Sequence, residues 1–196
     1  KGIRDLSDKH RIAVPAAKIS PQAIQLQMAA AREWGIENYA KLDALTVSRA
    51  HPDSVAALLS RGTEVNCYVS NPPYTERLLR DRTINKVASM SALMGIEQET
   101  RGASYATTKF ANDNPKITAA FTKALAEAYT FLQADPRRAA ETYLRVSGDK
   151  ESLETILEII TKPDFKWTPI PHGVMRSAEF MHKVGMMKTV PKSLAV

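Results

Sequence analysis

The stretch from Lys41 to Asp81, KLDALTVSRAHPDSVAALLSRGTEVNCYVSNPPYTERLLRD, reads as strand, helix, strand, helix. Leu45 to Ser48 is a short β-favouring run, and Ala50-His51-Pro52-Asp53 breaks it. Asp53 is expected to cap the following helix, since a short acceptor satisfies free N–H groups of a first turn. That helix carries Val55, Ala56, Leu58 and Leu59 and is expected to stop at Gly62, a residue that tolerates a left-handed end. Val65 to Val69 forms a second apolar run, and Ser70-Asn71-Pro72-Pro73 then opens another helix. Two strand–helix units in tandem imply parallel strands, because a helical crossover returns the chain in the same direction.

Working outward, Arg11 to Val14 predicts an earlier strand ending at Pro15. Ser20-Pro21 then pairs a capping hydroxyl with proline in the first helical turn. The helix that follows places Ala23, Ile24, Ala30, Ala31 and Trp34 on one face and ends at Gly35; Gln27 falls within that face as a buried amide. Asn85 to Ser89 and Ser104 to Thr108 are candidate fourth and fifth strands. After Phe110 the pattern turns helical. Asn114-Pro115 starts a long helix with a stripe through Ile117, Phe121 and Leu125, and Asp135-Pro136 starts a shorter one. Asp149 to Thr161 follows with Leu153, Ile156 and Ile160 on one side. Lys162 to Gly173 is rich in turn formers, and a last helix carries Val174, Ala178 and Phe180 to Gly185. Four amphipathic helices without a strand among them either form a bundle or cover a sheet built elsewhere in the chain. The start at Lys1 favours the second, with a trimmed chain whose missing strands precede it.

A chain of 196 residues, 44% of them hydrophobic, has material for one large core or two small ones. The single cysteine, Cys67, lies in an apolar run and reads as an inert buried thiol. The formal charge of +6 permits an anionic partner. Arg77, Arg80, Arg82 and Lys86 cluster without interleaved aromatics, which argues for a solvated face over a nucleic-acid surface. No apolar run approaches the roughly 18 to 20 residues of a membrane span. Nucleophile-elbow, phosphate-loop, dinucleotide and zinc-protease motifs are missing, and His10, His51, His172 and His182 show no metal-pair spacing. Catalytic, metal and cofactor sites are therefore expected to be none. Glu97 and Glu99 read as solvated carboxylates.

Ligands of parallel sheets bind outside the carboxyl ends of the strands. Three such ends open here onto helix starts, at Ala16 to Ser20, Ser48 to Asp53 and Ser70 to Pro73. Free N–H groups and the helix dipole favour an anion or acceptor there. Lys18, Ser20, Ser48, His51, Ser70 and Asn71 are the candidate ligand-binding residues, with Arg49 beside them. Capping alone accounts for Ser20, Asp53 and Asn71 taken singly; the set together points to a small polar or anionic ligand.

Several segments, in their order, also resemble a known family. They are RIAVP (Arg11 to Pro15), HPDSVAALLSRGTEV (His51 to Val65) and SNPPYTERLLRD (Ser70 to Asp81), followed by ATTKFANDNPKITAAFTKALAEAYTFL (Ala106 to Leu132) and PHGVMRSAEFMHKVGMMKTVPKSL (Pro171 to Leu194). Together they resemble the solute-binding proteins of ABC importers of the nitrate/taurine/aliphatic-sulfonate type, which include binders of thiamine pyrimidine precursors. The resemblance implies an α/β fold of the type II periplasmic-binding-protein kind, with two hinged lobes and ligand in the cleft. Residues 9–103 would form the complete second lobe with one mostly parallel sheet. Residues 104–196 would carry the hinge return and the helices of an incomplete first lobe. The implied protein is not an enzyme. It is periplasmic, exported behind a signal peptide, and delivers a small-molecule ligand to an ABC transporter permease, with no nucleic-acid partner and membrane contact only through the permease. Where the family usually carries Asp-Ala after the glycine of the second unit, this chain has Val65-Asn66-Cys67, so ligand class is not carried over from that strand. Two alternatives stay open: a pyrimidine-precursor biosynthesis enzyme of the same fold, for which a cysteine-rich motif is lacking, and the effector-sensing part of a transcription regulator.

Overall fold

The computed structural model describes residues 2–62, 64–96, 99–163 and 165–192. Strand β1 (Ile12–Val14) leads into helix α1 (Pro21–Trp34), β2 (Thr46–Ser48) into α2 (His51–Leu59), and β3 (Cys67–Tyr68) into α3 (Tyr74–Leu79) and α4 (Met90–Met94). The three strands form one parallel sheet in the order β2-β1-β3, with Ile12 opposite both Thr46 and Cys67. The protein is therefore of the α/β class, as expected. Because β2 and β3 flank β1 on opposite sides, right-handed crossovers put α1 and α2 on opposite faces. Burial follows that geometry. Ile12 and Val14 pack with Ala23, Leu26, Ala29 and Ala30 of α1 and with Met94 of α4, while the alternating Ala13 is fully buried outside that cluster. Each of the larger aliphatic side chains buried there contributes about 1.5–3 kcal/mol.

Local chemistry sets the element ends. The Ser20 hydroxyl accepts from Ala23 N at 3.3 Å, Pro21 occupies the first turn, and Gly35 ends α1 at φ 93°, a conformation that glycine alone adopts cheaply. Gln27 is buried as expected, and its Nε2 donates to both carboxylate oxygens of Asp43 at 2.9 and 3.0 Å.

Several expectations are corrected. Asp53 does not cap α2: Pro52 sits in the first turn, the helix begins at His51, and Ala50 occupies the cap without a side-chain bond. The left-handed residue beyond α2 is Arg61 (φ 55°), not Gly62. Residues 85–89 form no strand, and neither do residues 104–108, whose Thr107 instead caps a helix by accepting from Phe110 N at 3.1 Å. The β3 ladder is shorter than Val65–Val69 because the Asn66 side chain takes over its lower end, accepting from Arg11 N at 2.9 Å and donating to Lys9 O at 2.9 Å.

Helices α5 (Thr108–Asp113), α6 (Pro115–Ala134), α7 (Pro136–Ser147) and α8 (Leu153–Ile160) follow, then α9 (Val174–Lys183). Asn114-Pro115 and Asp135-Pro136 open α6 and α7 as predicted. Helix α8 starts later than Asp149, because that carboxylate accepts from Tyr143 Oη at 2.8 Å and from Glu151 N at 3.1 Å in a turn, leaving Ser152 as the cap.

The chain divides into two compact units, Thr100–His172 and the remainder. In the helical unit Ala140, Ile156 and Ile159 make a small core. The α6 stripe stays open, with Ile117 and Phe121 both more than half exposed. Helix α9 belongs to the α/β unit. Phe180 meets Tyr39 edge-on with ring centroids 6.0 Å apart, and the Ser177 hydroxyl donates to Met28 Sδ at 3.8 Å.

Candidate functional site

In a parallel sheet of order β2-β1-β3 the strand order reverses between β1 and β3, and the carboxyl ends of strands at such a switch point are where ligands of α/β sheets bind. The structure brings most of the expected residues to this end of the sheet. The loop after β1 is tied to the end of β2 by Ala17 N donating to Ser48 Oγ at 2.9 Å, and by Arg49 N donating to Val14 O at 2.8 Å. Ser20 is buried as the α1 cap, and Lys18 is exposed at φ 69°.

His51, at the start of α2, stands beside the end of β3. Its Nδ1 is hydrogen-bonded to the Tyr68 hydroxyl, and its Nε2 lies 3.5 Å from Gln22 Nε2 at the start of α1. The imidazole stacks on the Tyr74 ring at 5.3 Å between centroids and an interplanar angle of 21°. The Ser70 hydroxyl accepts from Thr75 Oγ1 at 2.9 Å. Asn71 lies in the same loop, and its Oδ1 is buried without a hydrogen-bond partner. A buried acceptor left unpaired costs about 1–3 kcal/mol, so its persistence asks for an explanation.

Sequence reasoning missed Tyr68 and Tyr74. Both look like packing residues of a strand and a helix. The usable signal was position, since Tyr68 is the last residue of β3, at the carboxyl end of the sheet.

Electrostatics follow from partial burial. Desolvation lowers the His51 pKa, keeping the ring neutral at pH 7. Burial, assisted by Tyr74, pushes Tyr68 up to about 12 against the opposing Ser70 bond. Burial likewise pushes the Cys67 thiol up, which fits the inert role expected of it. The His51 shift has a sign that can be tested. The unfolded ring takes up a proton near pH 6.5 and the folded ring only at lower pH, so the unfolded state binds more protons in between. Stability is expected to be fully present above about pH 6.5 and to fall as the pH drops below it. Urea midpoints between pH 8 and 5 check this, and His51→Gln should flatten the profile. An unchanged profile in that variant would show that His51 does not govern the loss.

Elsewhere, an open depression beside β2 is lined in part by Ser48, Arg49, Asp53, Ser60 and Glu64. Arg49 and Glu64 pair across 2.5 Å there. It contains none of Ser20, Ser70 or Asn71, and with Arg49 engaged by Glu64 and Asp53 beside them it is acidic on balance, so it does not suit an anion. Glu99 is half-buried and accepts from Gln25 Nε2 at 2.9 Å, which corrects its reading as solvated; Glu97 lies outside the described residues. Among the described residues no metal-holding group of three or more histidine, cysteine, aspartate or glutamate side chains gathers, and no helix is long and apolar enough to cross a membrane. Comparison with protein-family profiles, curated proteins and solved structures found no match to this chain.

Proposed function

We propose that this chain is the ligand-binding part of an exported solute-binding protein, which holds a small polar or anionic solute in a cleft and delivers it to an ABC transporter permease. On this reading it is a binder and not an enzyme, of the nitrate/taurine/aliphatic-sulfonate type, with the type II periplasmic-binding-protein fold. The α/β unit serves as one lobe. Segments of the helical unit belong to the other, whose strands would cover the open stripe of α6. The observation that carries the reading is the placement of Ser20, Ser48, His51, Ser70 and Asn71 on the three loops that follow the carboxyl ends of the parallel strands β1, β2 and β3. Binding sites of this kind need a few well-placed polar groups on a rigid frame, and strand-anchored loops provide one. Thermal-shift screening with nitrate, taurine, alkanesulfonates, carboxylates and pyrimidines tests it. A solute that raises the melting temperature in proportion to the logarithm of its concentration is the expected result. Turnover of any such compound would instead favour an enzyme.

A further inference from the structure

The segment that closes α9, Met181-His182-Lys183-Val184-Gly185-Met186-Met187, holds three of the chain's seven methionines and one of its four histidines. The backbone folds them together. Gly185 takes φ 79°, in the left-handed region, and turns the chain back at the helix end. Gly185 N donates to His182 O at 3.0 Å and Met186 N to Met181 O at 2.7 Å, the paired bonds of a Schellman motif. Met187 N donates to the same Met181 carbonyl at 3.1 Å. In this motif the residue after the glycine commonly lies against the side chain five positions earlier, here Met186 against Met181.

His182 is held from the other side of the turn. Its Nδ1 lies 3.0 Å from Met187 O, and a carbonyl only accepts, so Nδ1 carries hydrogen. In the neutral ring the lone pair is then on Nε2. A backbone carbonyl gripping one ring nitrogen is the arrangement that fixes a metal-ligating histidine and raises the basicity of the other. The ring is exposed, Met186 is 40% exposed, and Met181 and Met187 are half-buried; none of the four packs in either core. Apolar contact alone accounts for Met181 and Met186. It leaves unexplained an exposed, oriented imidazole bonded to the third methionine.

Thioethers are soft, uncharged donors, and with an imidazole they suit Cu(I) rather than Mg²⁺ or Ca²⁺. No carboxylate belongs to the segment, and Lys183 and Lys188 oppose a divalent ion more than a monovalent one. Methionine is long and unbranched, so sulfurs from both sides of the turn can reach one point beside the ring. We propose that the thioethers of Met181, Met186 and Met187 and Nε2 of His182 form a Cu(I) site at the C-terminal end of α9. The negative end of the helix dipole adds a favourable field for a cation there. A thioether site needs no pair of histidines, so histidine spacing gives no sign of it. It stands independently of the solute-binding reading.

The test is anaerobic titration of the full-length protein with Cu(I) at pH 7 against a chromophoric Cu(I) chelator, from which it should withdraw one equivalent. In protein labelled with ¹³C at the methionine methyls, the resonances of Met181, Met186 and Met187, assigned by Met→Leu replacement, should shift together. Those of Met28, Met90 and Met94, which pack with the α/β core, should stay fixed. His182→Gln and the double variant Met186→Leu/Met187→Leu should each weaken binding at least about tenfold, since losing even a ligand's supporting hydrogen bond costs about 10- to 100-fold. Leucine keeps the volume, and circular dichroism checks the fold. Cys67 is the competing soft ligand. Undiminished affinity in both variants, shifts confined to the core methionines, displacement of the copper by equimolar Zn²⁺, or no withdrawal from the chelator overturns the proposal.

Discussion

Gln27→Ala is expected to destabilise the α/β unit by about 2 kcal/mol or more, with little direct effect on the three strand-end loops. The Gln27 side chain is almost fully buried in α1, and its amide nitrogen holds both oxygens of Asp43. Asp43 opens the single 3-10 turn that feeds β2, so the pair fastens the entry of an edge strand to the central helix. Truncation removes two bonds to a charged acceptor and leaves a void in a close-packed layer. The Gln27 Oε1 is itself buried without a partner, so its removal gives back part of that loss. Gln27→Met, which keeps the volume, should therefore cost less than Gln27→Ala. Urea unfolding of the two variants measures the difference; equal stability to the parent in both would show that the amide–carboxylate contact contributes nothing.

The second large effect concerns affinity. Ser70→Ala and Asn71→Ala are each expected to weaken solute binding by about tenfold or more, since a hydrogen bond to a charged ligand group is worth about 1.5–3 kcal/mol. Stability should hardly change for Asn71→Ala, because its buried oxygen makes no intramolecular bond to lose. Ser70→Ala also removes the bond from Thr75 and should cost somewhat more. Cys67→Ser supplies the contrast. Cys67 packs against the core of β1 and α1, so serine there should lower stability and leave affinity unchanged. If both loop variants bind the solute as tightly as the parent, the ligand is held elsewhere.

What could be read in the sequence was the chemistry that acts over a few residues. Ser20-Pro21 and Asp135-Pro136 announce α1 and α7 through a capping oxygen and a proline in the first turn, and Asn114-Pro115 announces α6 through the proline alone. The parallel arrangement was also legible, since a strand followed closely by a helix leaves little other choice. Strands without an obvious partner were not. Residues 85–89 and 104–108 carry β-favouring side chains, yet β-propensity expresses packing against neighbours that a single segment does not reveal. Asp53 failed as a cap because Pro52 fits the first turn, so the helix begins at His51 and the cap position falls on Ala50. At the site, Ser48, His51, Ser70 and Asn71 were visible as polar residues at strand ends. The cluster around His51 was not, because it depends on Gln22 of α1 reaching the same ring as Tyr68 and Tyr74.

The central claim is that a solute binds where the loops after β1, β2 and β3 converge. Amide hydrogen exchange on the full-length protein, with and without the solute identified by thermal shift, tests it most directly. Exchange should slow at residues 16–20, 48–51 and 69–74 together, and remain unchanged around the open depression at Ser60 and Glu64. Protection confined to that depression, or to α6 through α8 with the three loops unaffected, would contradict the account.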